Sequence, residues 1–216
     1  MSALEERAGA PAPHIRKAGR SDVPAMIEAL AAAFQDDPIM RWLFPDDGRR
    51  PAILRTFFGL SARKVYLRYG ESYVAGDAKA AALWAPPGKW KLSPLVILRN
   101  GPPLMRVMGT RLFAALRTLT LAERKHPREP HYYLAVLGTD PQYQNRGMGS
   151  ALLSDMLARS DAEGLPAYLE ASSEDNKRLY LRHGFRVVEE VPIPSGGPPF
   201  WRMWRDASAP VGSPAR

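Results

Sequence analysis

The chain contains no cysteine. Disulfides, thiolate metal sites and a cysteine nucleophile are therefore excluded. It also lacks any apolar run approaching the roughly 20 residues of a membrane-spanning helix. Residues 1–13 carry charges and prolines but no apolar stretch of the kind that forms a secretory signal. These absences together predict a cytoplasmic protein without a membrane partner. Basic residues outnumber acidic ones, 30 Lys and Arg against 22 Asp and Glu, for a formal net charge of +8. They are scattered, with no run of about five to eight cations such as nucleic-acid binding would favour. Nucleic acid is not expected as a partner; the charge reads as a solvated surface rich in arginine, with a phosphorylated cofactor as the alternative. The four histidines, His14, His126, His131 and His183, show no metal-ligand spacing. They read as surface or strand-end residues, and no metal is expected. There is no internal repeat.

What is present is enough for one domain with a sizeable core: 216 residues. Residues 1–13 and 206–216 are rich in Ala, Pro, Gly and Ser and read as mobile tails, leaving 14–205 as a single domain. A strand is predicted at 14–18. Ser21-Asp22 supplies an N-cap and Pro24 sits in the first turn of a helix carrying Val23, Met26, Ile27, Leu30, Ala31 and Phe34 at helical spacing. It stops at Asp36-Asp37-Pro38, because a proline disfavours helix at the residue before it. A second helix is predicted over 51–67. Strands at 71–75 and 79–84 flank Gly76-Asp77, a hairpin turn signal. Residues 92–125 read as helical in two pieces broken near Gly101-Pro102-Pro103, either a packing element or a lid over a substrate site. An apolar strand at 132–139, a helix at 150–163, a strand at 167–171, a short helix at 175–183 and closing strands at 185–191 and 200–204 complete the pattern. Strands alternating with helices and ending in a strand pair predict an α/β fold with a mixed sheet.

The segment that carries chemistry runs from Leu137, Gly138 and Thr139 through Asp140-Pro141 to Gln144, Asn145, Arg146, Gly147, Met148, Gly149 and Ser150. It joins a strand to a helix N-terminus, where backbone amides lack intrahelical partners and the helix dipole is positive. Gly147 and Gly149 let a phosphate approach the backbone, and Arg146 adds a cation. No Gly-Lys-Ser/Thr follows and no Gly-x-Gly-x-x-Gly is present, so neither a P-loop nor a dinucleotide fingerprint fits.

The whole pattern is more specific than its glycines. A strand ending in Pro141, then Gln144-x-x-Gly147-x-Gly149, then Ala151-Leu152-Leu153, resembles the acetyl-CoA motif of the Gcn5-related N-acetyltransferase (GNAT) superfamily. Asn176 to Phe185 resembles that family's second signature. His14-Ile15-Arg16, Asp22-Val23-Pro24, Ala31 to Phe34, Trp84, Arg128-Glu129-Pro130 and Leu169 to Ser172 are similar to the puromycin N-acetyltransferase branch. That similarity spans most of 14–205 and weakens over 36–67 and 92–125. The resemblance implies a mostly antiparallel central sheet of about six or seven strands flanked by helices. It also implies acetyl-CoA as co-substrate, without metal, and a monomer or homodimer. Leu137 and Thr139 would offer main-chain bonds to the pantetheine arm, Gln144 to Ser150 would hold the pyrophosphate, and Asn176 would contact the cofactor. Tyr180 sits where many members place the general acid, although it also reads as a packing aromatic beside Phe185. Glu170 is a candidate base or ammonium ligand, with a turn role beside Ser172-Ser173 as the alternative. Asp37, Trp42 and Trp84 are candidate acceptor contacts; Asp37 reads equally as a helix stop and the tryptophans as core.

The expected activity is direct acetyl transfer to an amine of a small molecule, such as an aminonucleoside-type antibiotic. A protein or peptide acetyltransferase and a non-catalytic acyl-CoA-binding regulatory module are the alternatives.

Overall fold

The computed structural model describes residues 13–91 and 94–208, with side chains omitted at 94–97. The tails expected at 1–13 and 206–216 fall largely outside the described residues. Among the described residues seven strands form one sheet: β1 (Ile15–Lys17), β2 (Ser72–Ala75), β3 (Ala80–Ala85), β4 (Tyr132–Thr139), β5 (Ala167–Ala171), β6 (Arg186–Val191) and β7 (Phe200–Arg205). Their order is β1-β2-β3-β4-β5-β7-β6. Only β4 and β5 run parallel; every other neighbouring pair is antiparallel. This is the mixed, mostly antiparallel α/β sheet that the sequence predicts.

Helices cover both faces. On one side α6 (Met148–Ala162) and α7 (Glu174–Arg182) pack on the sheet through Leu152, Leu153, Met156 and Tyr180. On the other lie α1 (Val23–Ala33) and α3 (Arg50–Leu60), which bring in Met26, Leu30, Leu54 and Phe58. The predicted second helix is shorter than expected in α-helical form: past Leu60 it continues as a π-helical turn, Ser61–Tyr66, and a 3-10 turn, Leu67–Tyr69. Strand β3, Ala-Ala-Ala-Leu-Trp-Ala, is buried along its whole length. Its small side chains allow helices to approach from both faces, as a central strand requires.

One helix is not predicted by the sequence and one reading is corrected. After α1 ends before Asp36-Asp37-Pro38, as expected, Asp37 caps a six-residue helix, α2 (Pro38–Leu43), with Pro38 at its first position. The insert consists of α4 (Pro94–Met108) and α5 (Arg111–Lys125), and α4 runs through Gly101-Pro102-Pro103. The break falls at Gly109, whose φ of +56° and amide bond to the Met105 carbonyl close α4 from the left-handed region. Pro102 and Pro103 are tolerated because they and the residues four positions earlier, Leu98 and Arg99, are exposed, so water can reach the carbonyls left unpaired. The insert's described apolar residues, among them Met108 and Leu112, pack against Leu43, Phe44 and Ile53 of the α2–α3 region.

One irregularity shapes the centre of the sheet. Leu83 pairs with Val136 but Trp84 pairs with Leu134, so Ala135 is an extra residue on β4. Such a bulge bends its strand and flips the side chains beyond it to the opposite face. Pairing of β4 with β5 covers only Tyr132–Leu134 against Ala167–Leu169. Past the bulge the two strands separate, and Val136, Leu137, Gly138 and Thr139 have β3 as their sole strand partner among the described residues.

Candidate active site

The gap between β4 and β5 opens into a cavity of about 570 Å³. Leu137, Gly138 and Thr139 form its floor, Gln144, Asn145, Gly147, Met148, Gly149 and Ser150 one wall, and Asn176, Leu179 and Tyr180 of α7 another. Ala33, Phe34 and Asp37 close it from the α1 side. Twelve of the residues singled out in the sequence thus meet around one space, although the segments that supply them are far apart in the chain.

The wall at the start of α6 has backbone geometry that suits an anion. Asn145 has φ of +61° and Gly147 φ of +77°, so alternate residues lie in the left-handed region and turn neighbouring amides toward one side. Gly147 is the N-cap of α6 and makes no side-chain capping bond, leaving first-turn amides available. A Cβ placed at Gly149 would meet nothing closer than Thr139 Oγ1 at 3.8 Å, so this glycine keeps space open in the cradle. Gly76 has the opposite role: a Cβ there would lie 2.7 Å from Met148 Cε, so its absence lets the Met148 side chain pack over the β2–β3 turn. Gly138 likewise admits α1, since a Cβ there would lie 2.8 Å from Leu30 Cδ2. Arg146 does not line the cavity. Its guanidinium stacks 5.1 Å from the Tyr143 ring and donates to the Gln142 carbonyl at 3.2 Å. Lys79 Nζ lies 5.1 Å from the same ring, so Tyr143 carries two cations beside the cradle. The Gln144 side chain donates to the Thr139 carbonyl at 3.1 Å and ties the turn to the end of β4.

Asp37 and Tyr180 meet at the far end. Asp37 Oδ1 accepts from the amides of Ile39 and Met40, each at 3.0 Å, and Oδ2 accepts from the Ser172 hydroxyl. Burial pushes the Asp37 carboxyl pKa up, and these hydrogen bonds only partly oppose it. Asp37 is therefore a cap that also faces the cavity, and its bond to Ser172 joins α2 to the β5–α7 turn. Asn176 Nδ2 donates to the same Ser172 hydroxyl at 3.4 Å. Tyr180 packs edge-on against Phe185, with centroids 6.0 Å apart. Burial first, and the Asp37 charge second, raise its hydroxyl pKa well above the ordinary phenol value, so it keeps its proton.

Glu170 lies elsewhere. Ala167, Leu169 and Ala171 face Tyr180 and α6, so Tyr168 and Glu170 point to the other side of the sheet. Glu170 follows the last residue of β5 paired with β4 and stands at the apex of the gap. His126 and His131 are buried beside it. His126, the C-cap of α5, is not the surface or strand-end residue expected. His131 stands immediately before β4, a strand end as expected, but inside the core, where Trp90, Tyr133, Tyr168 and Trp204 enclose the pair. The two tryptophans proposed as acceptor contacts do not reach the cavity. Trp84 is fully buried in the core, and Trp42 packs against the β6–β7 connection near Ile193 and Gly197. Ser172, which joins Asp37 to Asn176 beside the cavity, is given no site role from sequence, since a serine in a turn carries no signal of which carboxylate it will meet. Among the described residues no group of three or more His, Cys, Asp or Glu is placed to hold a metal ion, and no helix is long and apolar enough to cross a membrane.

A mixed sheet whose central parallel pair splays over an anion cradle, with a protonated phenol at the other end of the cavity, defines an acyltransferase fold. The acetyltransferase (GNAT) domain family matches residues 109–187. A Corynebacterium glutamicum structure described as histone acetyltransferase HPA2 and related acetyltransferase is 32% identical. Its superposition has a TM-score of 0.69 and covers 93% of this chain and 99% of that one. An uncharacterised N-acetyltransferase of Schizosaccharomyces pombe is 26% identical over 173 residues, 75% of this chain and 70% of its own. The Drosophila melanogaster polyamine N-acetyltransferase that forms N-acetylagmatine shares the fold, at 15% identity and a TM-score of 0.56 over 90% of this chain and all of that one. The chain belongs to the GNAT acetyltransferase family and is an N-acetyltransferase.

Proposed function

We propose that residues 14–205 act as one catalytic domain that transfers the acetyl group of acetyl-CoA directly to an amine of a small molecule. The observation that carries this reading is the cavity itself, which runs through the β4–β5 gap from the α6 cradle to Tyr180. Acetyl-CoA, the family's co-substrate, supplies a thioester. The first-turn amides of α6 from Gly147 to Ser150 would hold its pyrophosphate, with Lys79 and Arg146 adding positive charge nearby. The free edge of β4 at Leu137 and Thr139 would pair with the pantetheine arm, and Asn176 would hold it from α7. Tyr180 would give its proton to the departing sulfur, for which a raised hydroxyl pKa is the right preparation. Glu170, at the apex on the opposite face, would bind the incoming ammonium and take its proton.

The similarity to puromycin N-acetyltransferases supports an aminonucleoside-type acceptor within that class. The description carried by the 32% identical relative supports a second reading, a lysine of a protein or peptide. Incubating the protein with acetyl-CoA and a panel of aminonucleosides, polyamines, arylalkylamines and a lysine-rich peptide, read by thiol release, separates the two. Turnover on a small amine alone is expected. Gly149→Val provides the control at the cradle. The helical backbone there accepts a side chain, so the fold should persist while acetyl-CoA affinity measured by calorimetry falls at least tenfold. Unchanged affinity would remove the cradle from the cofactor site.

A further inference from the structure

The Glu170 cluster holds a chain of contacts that the reading above leaves unused. Glu170 Oε1 is buried and has no hydrogen-bond partner among the described residues. His126 Nδ1 faces it at 3.6 Å. His126 Nε2 lies 3.0 Å from His131 Nε2, and His131 Nδ1 lies 2.6 Å from the Glu129 carbonyl oxygen. The two imidazoles are 8% and 2% exposed.

The positions of the hydrogens follow from one fixed point. A carbonyl oxygen can only accept, so His131 Nδ1 carries the hydrogen. Burial lowers the His131 pKa, which keeps the ring neutral and leaves Nε2 as a lone pair. His126 must then donate from Nε2, and in the neutral ring its Nδ1 is a lone pair that faces Glu170 Oε1. The ring is held in place: Trp90 stacks on it at 3.8 Å, and Tyr133 and Tyr168 meet it edge-on at 4.7 Å each. Helix α5 delivers His126 to this spot as its C-cap, and Lys125 anchors that end to Glu189 at 2.6 Å.

We propose that His126, held by His131 in the Nε2–H tautomer, stores the proton that Glu170 takes from the acceptor ammonium. The inference rests on the reading of Glu170 as the acceptor's base. In the step, an ammonium N–H bond breaks and its electron pair stays on the amine nitrogen. The proton passes to the Glu170 carboxylate and from its buried Oε1 to His126 Nδ1. What results is a neutral amine, a regenerated carboxylate and an imidazolium paired with it; that proton leaves through the carboxylate to water after the product departs and before the next acceptor binds. His126 and His131 are positioning residues here, since they act through Glu170. The other groups that face Glu170 do not compete for the proton. Tyr66 on the π-helical turn, Tyr133 on β4 and Tyr168 on β5 all have raised hydroxyl pKa values and stay neutral donors. Arg202, opposite Glu170 on β7, is engaged by Glu189 at 2.7 Å and Tyr168 at 3.3 Å.

The first test uses the unmodified protein. Nitrogen-15 NMR of histidine-labelled protein should show Nε2–H at His126 and Nδ1–H at His131, and the reverse tautomers would overturn the proposal. The second uses acetyl-CoA with the best amine of the panel. His126→Phe keeps the stack on Trp90 and deletes both nitrogens. Its kcat/KM should fall about 10²-fold, the lower end of general-base effects, with a displaced acid limb of the pH–rate profile and unchanged acetyl-CoA affinity. His131→Phe should displace the same limb with a smaller loss. Glu170→Gln tells the two layers apart. If it abolishes turnover while folded His126→Phe keeps the wild-type rate and pH profile, the relay is wrong and the Glu170 reading stands. If Glu170→Gln itself turns over normally, both fall.

Discussion

Replacing Tyr180 by phenylalanine keeps the ring packed on Phe185 and deletes one hydroxyl. If that hydroxyl protonates the leaving sulfur, the chemical step should slow by about 10²–10⁴-fold, the usual worth of general acid catalysis. Acetyl-CoA affinity should change far less, because one neutral hydrogen bond contributes only about 0.5–1.5 kcal/mol. Single-turnover kinetics, calorimetry and a melting curve check the three parts separately. Near-normal chemistry would remove Tyr180 from the mechanism, and a large drop in melting temperature would make it structural. The neighbouring carboxylate sharpens the case: Asp37 is a source of the negative charge that raises the Tyr180 pKa. Asp37→Asn should therefore lower the phenol's pKa while preserving its packing, a shift that the alkaline limb of the pH–rate profile would report.

The short helix α2 depends on one side chain. Its six residues cannot nucleate unaided, and Asp37 supplies the acceptor for the amides of Ile39 and Met40. The same carboxylate binds the Ser172 hydroxyl, 135 positions away in the chain, so α2 is pinned to the β5–α7 turn over the cavity. Asp37→Ala should cost about 0.5–2 kcal/mol from the lost cap. It should also raise the KM for the acceptor, because the α2 wall of the cavity is released. Asp37→Asn retains the capping geometry and should recover most of the stability. Denaturant unfolding of the two variants checks this, and an alanine variant as stable as wild type would show that packing of Leu43 and Phe44 alone holds the helix. The sequence pattern Asp-Asp-Pro reads correctly as the end of α1, and Asp37-Pro38 equally fits a helix start, but nothing in it chooses between the two. The pattern says that helix stops before a proline; it does not say that the proline begins another.

The assembled chain should lose stability on acidification in two stages. His131 and His183 have pKa values lowered by burial, so the folded state binds protons less readily than the unfolded one. Their contribution is complete above the unfolded histidine value, about 6.5, and is lost as pH falls through the folded values. Each can contribute a slope of at most about 1.4 kcal/mol per pH unit. Asp22 and Asp161 have pKa values lowered chiefly by hydrogen bonds from Arg16 and Arg205. The same sign applies to them below about pH 4, the ordinary carboxylate range. Asp161 matters most for the architecture, because its two oxygens take both Arg205 terminal nitrogens at 2.7 Å and tie α6 to β7. Asp37 works the other way: its raised pKa favours the folded state as pH falls. Urea midpoints at pH 7.5, 5.5 and 3.5 should decline at each step, and His183→Gln should flatten the first decline. A midpoint constant between pH 7.5 and 5.5 would show that the buried imidazoles protonate without penalty.

The cradle was legible from residues alone because it is local: glycines at Gly147 and Gly149, a strand before them and a helix after them act over a few positions, and backbone sterics and the helix terminus do the rest. The strand and helix periods were legible for the same reason. What only the tertiary structure decided is where distant segments meet. The bulge at Ala135 depends on the register that β3 imposes on β4, and nothing in Leu-Ala-Val-Leu marks which residue will be left over. That one residue turns Leu137 and Thr139 toward α6 and starts the gap from β5, so the cavity itself is a product of strand pairing. The fate of the aromatics was settled in the same way. Trp84 and Trp42 are absorbed by packing, whereas Trp90, which carried no signal, stacks on His126. Two histidines five positions apart have no helical or strand period in common, and their alignment with Glu170 exists only because α5 ends where β5 leaves its partner. Short-range sterics and hydrogen bonding are written in the sequence; the pairing of surfaces across the sheet is a property of the folded chain.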